Sequence, residues 1–414
     1  MPQILISTTG SLGDLNPMLA VGEELLALGA KVTFATYPCY EDACRKSGFG
    51  FVALGGPESY VSSLRYSREM LADGSFEMFV DRVNFDHLEP QYAQLLAAAD
   101  GADLLLASAH VVAAHLVAEK VGIPYVACAT CLIHLRSVAT IGSDRYRKLA
   151  TASARWQSVL RKFRLDHQLA RKVLPMASLL SDAAKVVGVL PSFLVSAQDT
   201  RNPKLEVVGY ANHRQSEWMV PDDELRAFCD ERTVAFSFGS FADACDPNYF
   251  FEESVAACRM LNLKWVFVSQ HVKPDMLEGS SDDGLVRNTL APGAVFPLVG
   301  MTVHHGGTGT LIAACKSLKP MVVVPFFLDQ PLHAERMHSL IGCPVISATE
   351  YSRHTAVQAL RQALENREAM SASLRELMAG ETDGAVRGAQ QTLAVLKAPK
   401  KDLFRAPSTA TPRA

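Results

Sequence analysis

His304-His305-Gly306-Gly307-Thr308-Gly309-Thr310, with Asp329-Gln330 further on, gathers residue types suited to a phosphorylated, hydroxyl-rich ligand. The glycines let backbone approach a phosphate closely, and a helix opening near Thr308 presents free N–H groups at its positive dipole end. His305 and the hydroxyls of Thr308 and Thr310 add donors. Asp329 only accepts and Gln330 does both, a pairing that fits a ligand with several hydroxyls. A plainer alternative makes the histidines the end of a core strand and the glycines a tight turn. The later Asp-Gln pair favours the ligand site.

Strands must hold these residues in place. Residues 301–303 and 322–325 are apolar, β-branched runs that read as buried parallel strands, each leading into a polar turn and a helical pattern. Both motifs then sit at the carboxyl ends of strands, where open α/β sheets bind ligands. The amino terminus repeats the unit: residues 3–9 read as a strand, 10–14 as a glycine turn, and Pro17 as the first residue of a helix that runs to about Leu28 and stops at Gly29. The spacing from Gly10 to Gly13 lacks the dinucleotide fingerprint, and no acidic residue ends the next strand at 31–37, which disfavours a nicotinamide or flavin enzyme. Asp14 by itself reads as an ordinary acid at a helix start. Further strands are predicted at 102–107, 124–128, 184–189, 233–238, 264–268, 285–290, 301–305, 320–325 and 344–347. Their alternation with helices implies an α/β fold of doubly wound parallel sheets.

The run His-Gly-Gly-x-Gly-Thr with a later Asp-Gln resembles the donor signature of GT-B glycosyltransferases, in particular the family 1 enzymes of natural products, sterols and lipids, the rhamnolipid rhamnosyltransferase among them. This resemblance implies two Rossmann-like domains facing across a cleft. Residues 1–211 would bind the acceptor and 224–380 the nucleotide sugar, joined by a polar linker at 212–223. A helix at 381–397 would cross back to the first domain, ahead of a tail at 398–414 whose composition suggests disorder. His305 and Thr310 would contact the diphosphate, with Gly306, Gly307, Thr308 and Gly309 beside it, and Asp329 and Gln330 would hold sugar hydroxyls. Gly239 and Ser240 would approach the diphosphate from the other side, and Pro292-Gly293 would pair main chain with the nucleobase. Plant members carry a Trp at that place; this chain has none at Leu290 or Ala291, so UDP- and dTDP-sugars both stay open.

The first turn, by the same resemblance, faces the cleft, with Gly13 toward the donor and Ser11, His110 and His134 toward the acceptor. Asp14 stands where many members place a histidine. A carboxylate there can take the proton of an acceptor hydroxyl as it attacks the anomeric carbon, inverting its configuration. A helix start lowers a carboxyl pKa and weakens such a base, so burial must offset that effect. The expected function is therefore an inverting glycosyltransferase moving a hexose to a small-molecule or lipid hydroxyl. The alternatives are a catalytically silent homologue acting as a binding partner or activator, and a UDP-sugar epimerase of the same fold.

Composition sets the remaining bounds. At 414 residues, 49% hydrophobic and 20% charged, the chain reads as two globular domains, and a net charge of −3 gives no drive toward nucleic acid. No leader is visible, and the nine cysteines are scattered singly apart from Cys128-Ala129-Thr130-Cys131, which lacks the second pair a zinc site needs. A cytosolic location is expected. No Asp-x-Asp triplet occurs, so neither metal nor other cofactor is expected. Residues 145–175 are rich in Arg and Lys, with Leu149, Trp156, Val159, Leu160 and Phe163 at helical spacing. They form either a peripheral contact with the inner face of a membrane or a helix packing its stripe on the core. Residues 55–74, with Tyr60, Leu64, Tyr66 and Met70, read as a polar loop that lines an acceptor pocket or caps the domain.

Overall fold

The structure, a computed structural model, describes residues 1–73, 76–135, 144–170, 183–197, 199–213, 220–239, 247–269, 283–288 and 290–398. Two parallel sheets organise them, one of seven strands in the order β3-β2-β1-β4-β5-β6-β7 and one of five in the order β10-β9-β8-β11-β12. The first comprises β1 (Gln3–Ser7), β2 (Lys31–Thr36), β3 (Gly50–Ala53), β4 (Leu104–Ser108), β5 (Tyr125–Ala129), β6 (Lys185–Gly188) and β7 (Leu205–Val207). The second comprises β8 (Thr233–Ser237), β9 (Lys264–Val268), β10 (Gly284–Arg287), β11 (Met301–His304) and β12 (Met321–Val323). Central strands such as β4 and β8 are buried at every position, because helices cover both faces of a parallel sheet.

Four sequence expectations change. The first helix spans Leu12–Ala27 and begins five residues before Pro17, because Ser11 caps it, accepting the Gly13 N–H while Asp14 folds back on the Ser11 N–H. Pro17 costs this helix one backbone hydrogen bond, which the burial of Leu15, Met18 and Leu19 offsets. Residues 344–347 form no strand, only a bridge from Val345 to Val323. The short edge strands β3 and β7 were not foreseen. Residues 55–74 are mainly the helix Ser59–Asp73 rather than a loop.

The basic segment contains the helix Asp144–Asp166. Three residues of the stripe face inward, whereas Val159 is exposed: Trp156 is buried and stacks on Phe85, Leu160 is buried, and Phe163 packs edge-on against Tyr92. Arg164, also buried, pairs with Glu119. That part of the stripe is thus occupied by protein. Residues 171–175 and 399–414 lie outside the described residues, as do 214–219 of the expected linker. No helix among the described residues is long and apolar enough to cross a membrane.

The two sheets share packing. Leu132, Leu190 and Leu194 from the first half join the core built around the second sheet, and Arg336 Nε donates to the Phe193 carbonyl at 3.0 Å. The helix Gly384–Lys397 returns to the first half, where Ala385, Ala389 and Val395 enter a core with Leu15, Met18 and Leu25.

Candidate active site

The second sheet presents its turn after β11. Gly306 has φ +83°, a left-handed conformation that only glycine adopts without strain, and lies against Val323 and the Gln330 backbone. The turn after β11 and the Asp329-Gln330 segment after β12 therefore meet. Buried His304 accepts the Gly306 N–H at Nδ1, and burial with the neighbouring His305 pushes its pKa down to about 3, which keeps it a neutral turn-holding group.

His305 points differently. Its Nδ1–H donates to the Ser237 carbonyl at 3.2 Å, so the neutral ring offers a lone pair at Nε2. Burial lowers its pKa, while Ser237 and Asp329 oppose the shift. Gly239, at φ +74°, packs on this ring: a Cβ there would lie 2.7 Å from Nε2, and one on Gly307 would also collide with it. Both positions thus require glycine. Ser240 lies outside the described residues.

The helix Thr308–Ser317 starts at this turn with Gly307 as N-cap and no side-chain cap, which leaves its first-turn N–H groups free for an anion. Thr308 is buried at the start of that turn. Among the described residues the hydroxyls of Thr308 and Thr310 have no protein partner. The short helix Pro292–Val295 packs alongside, and a Cβ on Gly293 would sit 3.8 Å from that of Ala313.

Asp329 precedes the helix Gln330–Ile341 without capping it. Gln330 is buried, and its Oε1 accepts the Phe326 and Phe327 N–H groups at 2.9 and 3.4 Å, so only its amide NH2 remains for a ligand. His333, not singled out in the sequence, bridges the two motifs: Nδ1 donates to the Gly306 carbonyl at 2.8 Å and Nε2 lies 3.3 Å from Asp329 Oδ2. Its position four residues after Asp329 on a helix was the available signal.

From the first sheet, the turn after β1 brings Asp14 to the same place. The carboxylate folds over Gly10, which has φ +102° and no room for a Cβ. Its Oδ2 accepts the Ser11 N–H at 3.1 Å, so Asp14 is indeed a first-turn capping acid. Gly13 and Ser11 stand at the open start of this helix, where the Gly13 N–H donates to Ser11 Oγ. Asp14 keeps an exposed edge, yet protein from both halves surrounds it, and the resulting desolvation raises its pKa. His110 and the Ser11 bonds pull in the opposite direction, whereas Asp329 adds to the rise. Burial outweighs the helix start, and Asp14 and Asp329 share one electrostatic environment across the cleft. Tyr37, Tyr40, Cys131 and Tyr210 also sense the Asp14 charge.

His110 and His134 form a chain. The Thr130 N–H donates to His134 Nδ1, so the His134 proton sits on Nε2 and is given to His110 Nδ1 at 3.3 Å. His110 Nε2–H then donates to the Thr9 carbonyl at 3.0 Å. All four ring nitrogens are engaged, and burial with His110 pushes His134 down to about 3. These imidazoles brace the loops around Asp14 rather than offering a free nitrogen to an acceptor. A cavity of about 260 Å³ beside the helix Ser59–Asp73 is lined by Tyr37, Ser59, Ser63, Tyr66, Arg82 and His87 among others. Among the described residues no cluster of three or more His, Cys, Asp or Glu could hold a metal ion.

Two sheets contributing to one crevice, an uncapped helix start on one side and a desolvated carboxylate on the other, define a GT-B glycosyltransferase. The family model described as Glycosyltransferase family 28 N-terminal domain matches residues 4–140, and that described as UDP-glucoronosyl and UDP-glucosyl transferase matches 225–375. The two matches fall on the two halves of the chain, which is a glycosyltransferase of the GT-B fold similar to those of family 1. It is 26% identical to glycosyltransferase GtfE of Amycolatopsis orientalis over 82% of its own length and 84% of that enzyme. It is 24% identical to sterol 3-beta-glucosyltransferase UGT80A2 of Arabidopsis thaliana over 92% of its length, which spans 64% of the plant enzyme. Among solved structures, the glycotransferase of kitacinnamycin superposes with a TM-score of 0.72 at 20% identity over 97% of this chain and all of that one. Glycosyltransferase VinC, solved in complex with dTDP, superposes at 0.66 and 18% identity over 95% of this chain and 99% of that one.

Proposed function

We propose that this glycosyltransferase is inverting and metal-independent, and moves a hexose from a UDP- or dTDP-sugar to a hydroxyl of a natural product or lipid, with Asp14 as general base. The observation that carries the proposal is the shared environment of Asp14 and Asp329, one from each half of the molecule. In the step itself, the acceptor oxygen forms a bond to the anomeric carbon while its proton passes to Asp14. The bond from that carbon to the β-phosphate oxygen breaks, and the electron pair leaves with the nucleoside diphosphate. The free N–H groups of the helix Thr308–Ser317, the Thr308 and Thr310 hydroxyls and His305 meet the charge that builds there. Asp329 and the Gln330 amide orient the sugar. The dTDP bound to VinC supports a nucleotide donor of this kind.

Thermal-shift screening against UDP-glucose, dTDP-glucose, dTDP-rhamnose and UDP-GlcNAc identifies the donor, since selective stabilisation follows mass action. NMR of the product formed with sterol and polyketide acceptors then reads the anomeric configuration. The expected product has inverted configuration and forms undiminished in EDTA. Retention of configuration, or loss of activity with chelator, would overturn the mechanism; silence toward every nucleotide would favour a non-catalytic homologue.

A further inference from the structure

We propose that Tyr210 is a further catalytic residue of this reaction, its hydroxyl donating a hydrogen bond to the β-phosphate oxygen that departs from the anomeric carbon; this rests on the function proposed above.

Tyr210 lies just beyond β7, where the chain leaves the first sheet. Its backbone is pinned, because the Gly384 N–H at the start of the return helix donates to the Tyr210 carbonyl at 3.1 Å. Gly209 beside it, at φ +95°, packs directly on Thr382, so this stretch has little freedom to move alone. From that anchor the side chain reaches the opposite half. A Cβ on Gly309 would lie 2.9 Å from the Tyr210 hydroxyl, which gives position 309 a reason to be glycine beyond helix geometry.

Gly309 belongs to the first turn of the helix Thr308–Ser317, whose N–H groups are uncapped. An anion held there sits within reach of the phenol. The phenol is also close enough to Asp14 for that carboxylate to reinforce the upward shift that burial imposes on it. The hydroxyl is therefore a neutral donor at working pH, and among the described residues it has no hydrogen-bond partner. A group free to donate, in contact with the diphosphate-binding turn and within electrostatic reach of the general base, is suited to the bond that breaks. During the step the phenol keeps its proton. The acceptor proton goes to Asp14, the electron pair of the broken bond goes to the β-phosphate oxygen, and the Tyr210 O–H stabilises that oxygen as its charge grows.

Tyr210→Phe retains the ring and removes only the donor. Single-turnover rates, donor affinity by thermal shift with UDP-glucose and dTDP-glucose in the absence of acceptor, and unfolding temperature are measured beside wild type. The expected result is a fall in the transfer rate of roughly ten- to a hundredfold, the worth of one hydrogen bond to a charged group. Donor affinity changes by less than about threefold and the unfolding temperature stays within about 2 °C, since the bond strengthens only in the transition state. Gly309→Ala, whose methyl displaces the hydroxyl, shows the same rate loss, and adding Tyr210→Phe to it costs little more. A Tyr210→Phe rate within twofold of wild type overturns the proposal, as does a loss confined to donor affinity. An inactive wild-type enzyme would instead strike at the function itself, so the two failures are separable.

Discussion

Asp14→Asn separates the chemical role of this residue from its structural one. The asparagine amide oxygen can still accept the Ser11 N–H that Asp14 now takes at 3.1 Å, so what the helix start loses is the interaction of a negative charge with its dipole, about 0.3–1 kcal/mol. Burial acts more strongly and with the opposite sign. An acid whose folded pKa is raised above its unfolded value costs the fold stability at every pH above that unfolded value, and the cost disappears as the pH falls below it. Desolvation raises Asp14 above its ordinary 3.8, so the asparagine variant should be at least as stable as wild type at neutral pH, with the difference closing in acid. Turnover should move the other way by about 10²–10⁴, or about 3–5 kcal/mol of barrier, the usual worth of a general base. Single-turnover rates across pH, paired with calorimetry at about pH 7 and pH 4, measure both effects. Wild-type rates should decline as the pH falls through a value above 3.8, and the variant should show no such limb. An Asn variant within tenfold of wild type, or a wild-type limb at or below the ordinary carboxylate value, would refute the base assignment.

Two further outcomes follow from the second half of the site. His305 gives its Nδ1–H to Ser237 and is held neutral by burial, so a diphosphate oxygen at Nε2 must bring a proton with it; UDP or dTDP binding should tighten as the pH falls from about 8 to 6. Calorimetry in buffers of different ionisation heat should record proton uptake that His305→Gln abolishes, and an unchanged proton count in that variant would exclude the idea. Gly239→Ala places a methyl 2.6 Å from His305 Cε1 at φ +74°, so it should cost roughly 1–2 kcal/mol of stability and at least tenfold in nucleotide affinity. Normal affinity by thermal shift would show that this imidazole is not aimed at the diphosphate.

The alternation of apolar runs with helical patterns made the parallel α/β architecture legible, because a strand buried on both faces is mostly apolar rather than alternating. The His305 turn and Asp329-Gln330 were legible for a related reason: each is local in sequence. Tyr210 and His333 were not, since Tyr210 gains its meaning from Gly309 and His333 from Gly306, contacts that only the fold creates. Pro17 misled because proline marks a helix start far more often than a site inside one, and here Ser11 and Asp14 had already begun the helix. Gln330 was assigned its full hydrogen-bonding capacity, yet tertiary structure spends its carbonyl on two backbone N–H groups. Short strands such as β7, three residues at a sheet edge, have too little pattern to stand out from a loop.

Because Ala385, Ala389 and Val395 complete a core begun by Leu15, Met18 and Leu25, the ribosome must pass residue 395 before the earliest-made half can seal. An isolated fragment ending near residue 213 would display an oily trench where the closing helix belongs, whereas the portion around the second sheet has no such debt to the C-terminal helix. Nascent chains should thus mature back to front, the later-translated half settling before the earlier one.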